Sequence, residues 1–294
     1  MKINRLMLNI VRRMVLKDIK KRRLNYPSHA EFQERLNIPY IDDGDRAHQF
    51  DVYYAIENMK NVCVIDIHGG AYMFGDRIDN FPFAYEFLKA GFDVITLDYK
   101  VISGKRDISN IVSDCVIALN FISEHLEELN LTNCEFVIAG DSAGGHLALL
   151  LVELLFDKEL QKSLCLQINP ITYKGIVVNS PVYDLLIATS YLSKSGIKRM
   201  LGKSSLNPDF LNKYSPRKYI NVIDIPIFLS TCKNDFIREQ SLLLKNDLDN
   251  SKLLTFIDID SEDKNIDHVH NVCKPNLKES IEVNEKIIEF IDKL

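Results

Sequence analysis

The 294-residue chain contains no tryptophan, no Cys-x-x-Cys and no apolar run approaching the ~20 residues of a membrane span. Without tryptophan, no indole can line a binding pocket. The six cysteines (Cys63, Cys115, Cys134, Cys165, Cys232 and Cys273) follow no metal-ligand or dithiol spacing. Cys63 falls in a strand pattern and Cys115 in a helical one, so both read as small core residues. All six are expected to be reduced thiols of a cytoplasmic protein. The continuous apolar core and small-residue cleavage site of a signal peptide are also missing from the start of the chain, which leads to the same expectation. Excess positive charge is absent too: the formal net charge of −5 argues against a nucleic-acid partner. No internal repeat or low-complexity segment interrupts the chain. Its 46% hydrophobic content is enough for one large core or two modest ones.

The charge is unevenly spread. The first 24 residues hold nine Lys/Arg against one acid, Asp18, so a basic arm precedes an acidic body. Within the arm, Ile3, Leu6, Met7, Ile10, Val11, Met14 and Val15 recur at helical spacing. Arg12, Arg13, Lys17, Lys20, Lys21, Arg22 and Arg23 lie between and after them. The pattern predicts a helix docked by its apolar stripe, with the acidic body as counter-charge. An interfacial helix drawn to anionic lipid is the sharper alternative. Pro27 is expected to end the segment.

From Ile38 the pattern changes to strands. Residues 38–41 and 49–55, separated by Asp42-Asp43-Gly44-Asp45, predict an antiparallel hairpin. Further strands are expected at 62–67, 93–97, 136–139, 175–179, 227–231 and 253–259, with helices at 81–90, 109–126, 147–156 and 239–248 and a last one from Leu277. This alternation implies a mostly parallel sheet flanked by helices, an α/β fold. The alternation lapses over 184–221, longer than an ordinary connection, with helical pieces at 185–192, 197–201 and 208–213. An insert of this length reads as a lid over a site.

The stretch Val137-Ile138-Ala139-Gly140-Asp141-Ser142-Ala143-Gly144-Gly145-His146 organises the rest. An apolar strand enters Gly-x-Ser-x-Gly and an apolar helix leaves it, the context a nucleophile elbow requires. Small residues around the serine let backbone approach closely, and the helix N-terminus aims unpaired N–H groups at the reacting centre. A serine hydroxyl needs a general base, and the base needs an acid to hold its tautomer, in the chain order Ser, acid, His.

Asp235 lies just past the 227–231 strand, where open α/β sheets place functional groups. Asp224 precedes that strand and Asp209 lies in the insert, so Asp235 is preferred. His268 and His270 both follow the last strand, and on position alone either serves as base. Of the other histidines, His29 and His48 read as surface residues, His125 lies late in a helix, and His146 faces away from the expected site. His68-Gly69-Gly70-Ala71-Tyr72 follows the 62–67 strand. Such a turn can direct backbone N–H groups at a developing oxyanion, together with the N–H of Ala143.

These residues resemble the hormone-sensitive-lipase-like branch of the α/β-hydrolases, bacterial carboxylesterases, over roughly residues 60–294. His68-Gly69-Gly70-Ala71 is similar to the family's HGGG motif, and Leu97-Asp98-Tyr99-Lys100 to its D-Y-R stretch. Gly140-Asp141-Ser142-Ala143-Gly144-Gly145 is identical to G-D-S-A-G-G. Tyr214-Ser215-Pro216 and Asn234-Asp235 resemble the segments before and at the acid. His268-Val269-His270 resembles H-x-F, which makes His268 the base and puts His270 in the aromatic's place.

The resemblance implies a single α/β-hydrolase domain over 1–294, its helical cap contributed by about 1–36 and 184–216. It implies Ser142 as nucleophile, His268 as base, Asp235 as orienting acid, Gly70, Ala71 and Ala143 as oxyanion hole, and no metal or cofactor. His68 is then structural, tying down its own turn. Three departures stand out. Ala71 replaces the third glycine, harmless at negative φ and strained at positive φ. Lys100 replaces arginine, and Ile102-Ser103-Gly104-Lys105 stands where an acidic, proline-containing stretch is expected.

The function so implied is a serine carboxylesterase acting on small to medium uncharged esters through an acyl-enzyme. Membrane-surface lipid hydrolysis would need the basic helix at the bilayer. A non-catalytic ligand-binding member of the fold would be marked by a lost triad residue, and none is lost. Asp258, Asp260, Glu262 and Asp263 lack the glycine of a calcium loop and read as a solvated loop.

Overall fold

The computed structural model describes residues 2–22, 32–249 and 251–294. Pro27, His29 and Arg23, and the side chains of Lys17, Lys20, Lys21 and Arg22, lie outside the described residues. In chain order the elements are α1 (Arg5–Arg22), β1 (Phe32–Pro39), β2 (Gln49–Ala55), β3 (Val62–Ile67), α2 (Phe81–Lys89), β4 (Asp93–Leu97), α3 (Ile108–Glu124), β5 (Glu135–Asp141) and α4 (Ala143–Phe156). There follow α5 (Lys158–Leu164), β6 (Tyr173–Asn179), α6 (Leu185–Ala188), α7 (Lys194–Leu201), α8 (Pro208–Lys213), β7 (Ile227–Cys232), α9 (Arg238–Asp247), β8 (Leu254–Ile259), α10 (His270–Cys273) and α11 (Lys278–Ile291).

The eight strands form one sheet in the order β1-β2-β4-β3-β5-β6-β7-β8. β1 and β2 pair antiparallel, as do β2 and β4; every later pairing is parallel. Parallel strands need both faces covered, and the sequence supplies them as nearly continuous apolar runs. Alternation within β3 divides the core: Cys63, Ile65 and Ile67 join α3 and α4 on one face, while Val64 joins Phe83, Phe87, Val283 and Ile287 of α2 and α11 on the other. All six parallel strands run the same way, so the loops after β3, β5, β7 and β8 gather at one edge of the sheet. Glycines of β5 and α4 let that edge close tightly. A Cβ on Gly144 would strike the carbonyl oxygen of Ile67 at the end of β3.

Three expectations need correction. Phe32–Pro39 is a strand paired with β2, so residues 32–36 belong to the sheet and not to a cap segment. The stripe on α1 docks only in part where it is described: Ile3 packs on the core, Leu6 is 70% exposed and Ile10 51%, and Leu8 outside the stripe is buried. The side chains of Val11, Met14 and Val15 lie outside the described residues. Helix rotation is set at its start, where Ile3 donates its N–H to Tyr191 O and accepts from Ser193 N, joining α1 to the insert before α7. Finally, His48 is buried, with Nδ1 2.8 Å from Asp43 Oδ2 and Nε2 facing Asp114 at 3.6 Å. The short helices α5 and α10 were not anticipated.

Candidate active site

The turn from β5 into α4 holds Ser142 at φ +52°, a left-handed backbone position that costs a non-glycine residue energy. It persists because its neighbours fix it. Ser142 N donates to Asn179 O at the end of β6, and Ser142 O accepts from His146 N and Val182 N. The serine thus stands at the N-terminus of α4, its side chain at the sheet edge.

Three of the residues singled out from sequence come together here. His268 Nε2 lies 2.9 Å from Ser142 Oγ, and His268 Nδ1 lies 2.7 Å from Asp235 Oδ1. Burial works against a charge on Asp235, but His268 and the N–H of Ile237 hold its carboxyl below the usual range. Thr231 Oγ1 donates to its other oxygen at 3.0 Å. A carboxylate so held fixes the imidazole with Nε2 toward the serine, an arrangement able to take the hydroxyl proton. The exposed ring of Phe236 rests on His268 at 4.5 Å between centroids.

The remaining candidates separate. His270 turns away, its Nδ1 2.9 Å from Ser280 Oγ, and burial pulls it down to about 4. His146 is buried with Nε2 2.7 Å from Tyr214 O, tying α4 to the end of the insert, and burial lowers it to about 4. Asp209 and Asp224 are exposed. Asp258 pairs with Arg238, and Asp260 and Glu262 pair with Lys233.

The glycine-rich turn after β3 packs against the serine turn. Gly70, Ala71 and Tyr72 have φ of +105°, +49° and +62°. Ala71 therefore occupies the strained alternative, a departure worth about 1 kcal/mol for an L-residue. The N–H groups of Gly70, Ala71 and Ala143 make no hydrogen bond among the described residues. Such donors beside a serine hydroxyl can bind an oxyanion.

His68 is held beneath this turn, with Nδ1 2.7 Å from Gly69 O, its ring stacked on Tyr99 at 4.3 Å and Nε2 3.4 Å from Asp98. Burial pulls its pKa down, yet the Asp98 carboxylate outweighs that and raises it to about 9. Tyr99 O–H donates to the carbonyls of His68 and Gly69.

Several supporting residues escaped the sequence reading. Arg77 is buried between Asp51 and Asp98, at 2.8 and 2.6 Å, and so anchors the stretch that carries Tyr99. Asn80 Nδ2 donates to both Asp66 and Asp141, and Asp141 accepts from Gly69 N at 2.9 Å, joining the two turns. Burial, with the charge of Asp141, pushes Asp66 up to about 8. The loop bearing His268 is pinned by Asn271 Nδ2 on Asn179 Oδ1, by Asn284, and by Asn234 Nδ2 on the carbonyls of Ser261, Asp263 and Ile266. No local pattern marks these asparagines as supports.

The family described as BD-FAE matches residues 50–248. A stretch of 98 residues is 30% identical to Lipase 2 of Moraxella sp. (strain TA144), covering 33% of this chain and 22% of that protein. The chain thus matches about a fifth of the length of that curated relative. Among solved structures, esterase B from Lactobacillus rhamnosis (HN001) superposes with a TM-score of 0.84 at 20% identity, over 97% of this chain and 93% of that one. Its tributyrin-phosphonate-inhibited form gives 0.85 at 21% identity, over 97% and 93%. A bacterial heroin esterase gives 0.71 at 18% identity, over 98% and 92%. At these identities the likeness establishes the fold, a mostly parallel α/β-hydrolase sheet flanked by helices.

Proposed function

The chain belongs to the BD-FAE family and has the α/β-hydrolase fold, and from that premise we propose that it is a serine carboxylesterase acting on small to medium carboxylic esters. One observation carries the reading: the unbroken contact from Ser142 Oγ through the His268 ring to Asp235. His268 Nε2 takes the hydroxyl proton as Ser142 Oγ adds to the ester carbonyl carbon. Negative charge then collects on the carbonyl oxygen, where the N–H groups of Gly70, Ala71 and Ala143 receive it. Collapse expels the alcohol, which leaves with the proton from His268, and the acyl group stays on Ser142. Water, deprotonated by the same imidazole, adds to the acyl-enzyme and releases the acid. Asp235 keeps His268 in the tautomer that both halves need.

In this reading, residues 2–22 and 184–216 cap the site, supported by the bridge from Ile3 to Leu192 and by His146 against Tyr214. The buried thiols of Cys63, Cys115 and Cys232 favour a cytoplasmic setting. The test is hydrolysis of short-chain aryl esters by wild type and Ser142→Ala. We expect kcat to fall by roughly 10³-fold or more in the variant; near-wild-type turnover would reject the assignment.

A second reading, the same chemistry on ester lipids at a membrane surface, draws on the exposure of Leu6, Ile10 and Leu16 beside Arg5 and Arg13 on α1. No helix among the described residues is long and apolar enough to cross a membrane. Sedimentation with liposomes that rises with their anionic lipid content would favour this reading; indifference to that content would remove it.

A further inference from the structure

Between α1, α7 and the segment after β4 lies a cavity of ≈ 530 Å³ whose wall includes Arg5, Arg12, Ser103, Ser195, Lys198 and Arg199. Ser142 and His268 are not part of its wall. Four cationic residues line it, and among the described residues no carboxylate does. Among the described residues, none of the four has an acidic partner. The segment that resemblance led one to expect acidic, Ile102-Ser103-Gly104-Lys105, supplies three of the lining residues and no counter-charge. Like charges gathered this way repel one another, and the guanidinium of Arg199 is lowered by burial and by the nearby Arg12 and Arg5.

Two of the guanidiniums are already oriented. Arg12 Nε donates to Met73 O at 3.2 Å, and Arg199 Nε donates to Asn9 Oδ1 at 2.8 Å. In each case the terminal nitrogens make no protein hydrogen bond among the described residues. A guanidinium held by Nε presents its remaining N–H groups as a rigid fork, the shape that matches phosphate oxygens. Ser103 and Ser195 bring neutral hydroxyls to the same wall, that of Ser195 lying 3.0 Å from Ser193 Oγ.

We infer that this cavity is a binding site for a phosphate group, separate from the serine chemistry. Met73, whose carbonyl holds Arg12, follows Tyr72 in the turn after β3, and its N–H donates to Gly70 O. An occupant of the cavity therefore bears on the glycine-rich turn itself. The phosphate can belong to a free small molecule or to a lipid headgroup, for which α1 offers Leu6 and Ile10 to the bilayer.

The experiment titrates inorganic phosphate into the full chain by calorimetry at low salt. The comparison set is Arg12→Gln/Arg199→Gln, Arg12→Lys/Arg199→Lys, and a charge control on distant exposed lysines, Lys158→Gln/Lys278→Gln. Thermal melts check that each is folded. We expect saturable binding in the wild type and the control, weakened roughly tenfold or more in the Gln pair and less in the Lys pair. The same proteins are sedimented with phosphatidylcholine vesicles, with and without phosphatidylglycerol. Loss of binding to anionic vesicles in the Gln pair alone assigns the site to a headgroup; phosphate binding without vesicle binding assigns it to a free molecule. The inference fails if wild type shows neither saturable phosphate binding nor anionic-vesicle binding, or if the charge control loses as much as the Gln pair. Because binding is read without turnover, the outcome is independent of whether Ser142 is a nucleophile.

Discussion

Asp235 and Glu153 are both buried carboxyl groups in the elements around Ser142, and they lie on opposite sides of their ordinary acidity. Asp235, at the end of β7, has His268, Ile237 N and Thr231 Oγ1 as partners and is held below the usual range. Glu153, three turns into α4, has 0% exposure and, among the described residues, no hydrogen-bond partner for either oxygen, and burial raises it well above the usual range. Desolvation acts on both. What separates them is the donors: where they converge the charged form is favoured despite burial, and where they are missing burial favours the neutral acid. Donors converge on Asp235 at the edge where the strands end, and the body of α4 is packed for apolar contact.

The sharpest way to break the contrast is Asp235→Asn. The amide keeps the shape but favours the wrong imidazole tautomer, so we expect kcat to fall by roughly 10⁴-fold. Glu153→Gln, the same change in the other region, should leave kcat within about threefold. Ester hydrolysis at saturating substrate measures both.

Next in size is a test of how tightly the edge is packed. Gly144→Ala forces a methyl into the carbonyl of Ile67, with no flexible side chain to yield. We expect a loss of about 3 kcal/mol in urea unfolding.

A third variant turns the comparison into a pH dependence. Because the folded-state pKa of Glu153 is raised, the stability linked to it is full below the ordinary carboxylate range and declines as pH climbs from there toward the raised value. Glu153→Leu removes that decline. The variant should gain about 1–3 kcal/mol at neutral pH, shrinking toward pH ~4, in unfolding curves taken across that range. The smallest effect is expected from Ala71→Gly, which relieves a positive φ of 49°. A gain of at most about 1 kcal/mol in thermal unfolding should accompany a kcat within about threefold of wild type.

What could be read in advance was what is local in the chain. β3 and β4 have the expected bounds, and the elbow was recognisable because strand, turn and helix are covalently adjacent. Ser142 and Asp235 could be nominated because each sits just past a strand, and parallel strands bring their ends together; for the base, position left His268 and His270 open, and the resemblance to H-x-F chose His268. The supports could not be nominated. Arg77 reaches Asp51 and Asp98, and Asn271 reaches Asn179, across gaps in sequence that no periodicity spans. His48 is short of apolar neighbours in sequence, yet it is buried by Asp43 and Asp114. The apolar spacing of α1 was correct as a helix but silent on rotation, which is set by Ile3 and its two backbone bonds to the insert.

The contact of Gly144 with the carbonyl of Ile67 couples the serine-bearing turn to the glycine-rich one at backbone level, and Asn80 and Asp141 couple them again through side chains. Neither turn can shift without carrying the other, so the two cannot be tuned separately by point changes. Divergence toward new substrates, in nature or in a selection experiment, would have to begin in the outer segments such as α1 and α7, where a residue can change without moving the rigid centre.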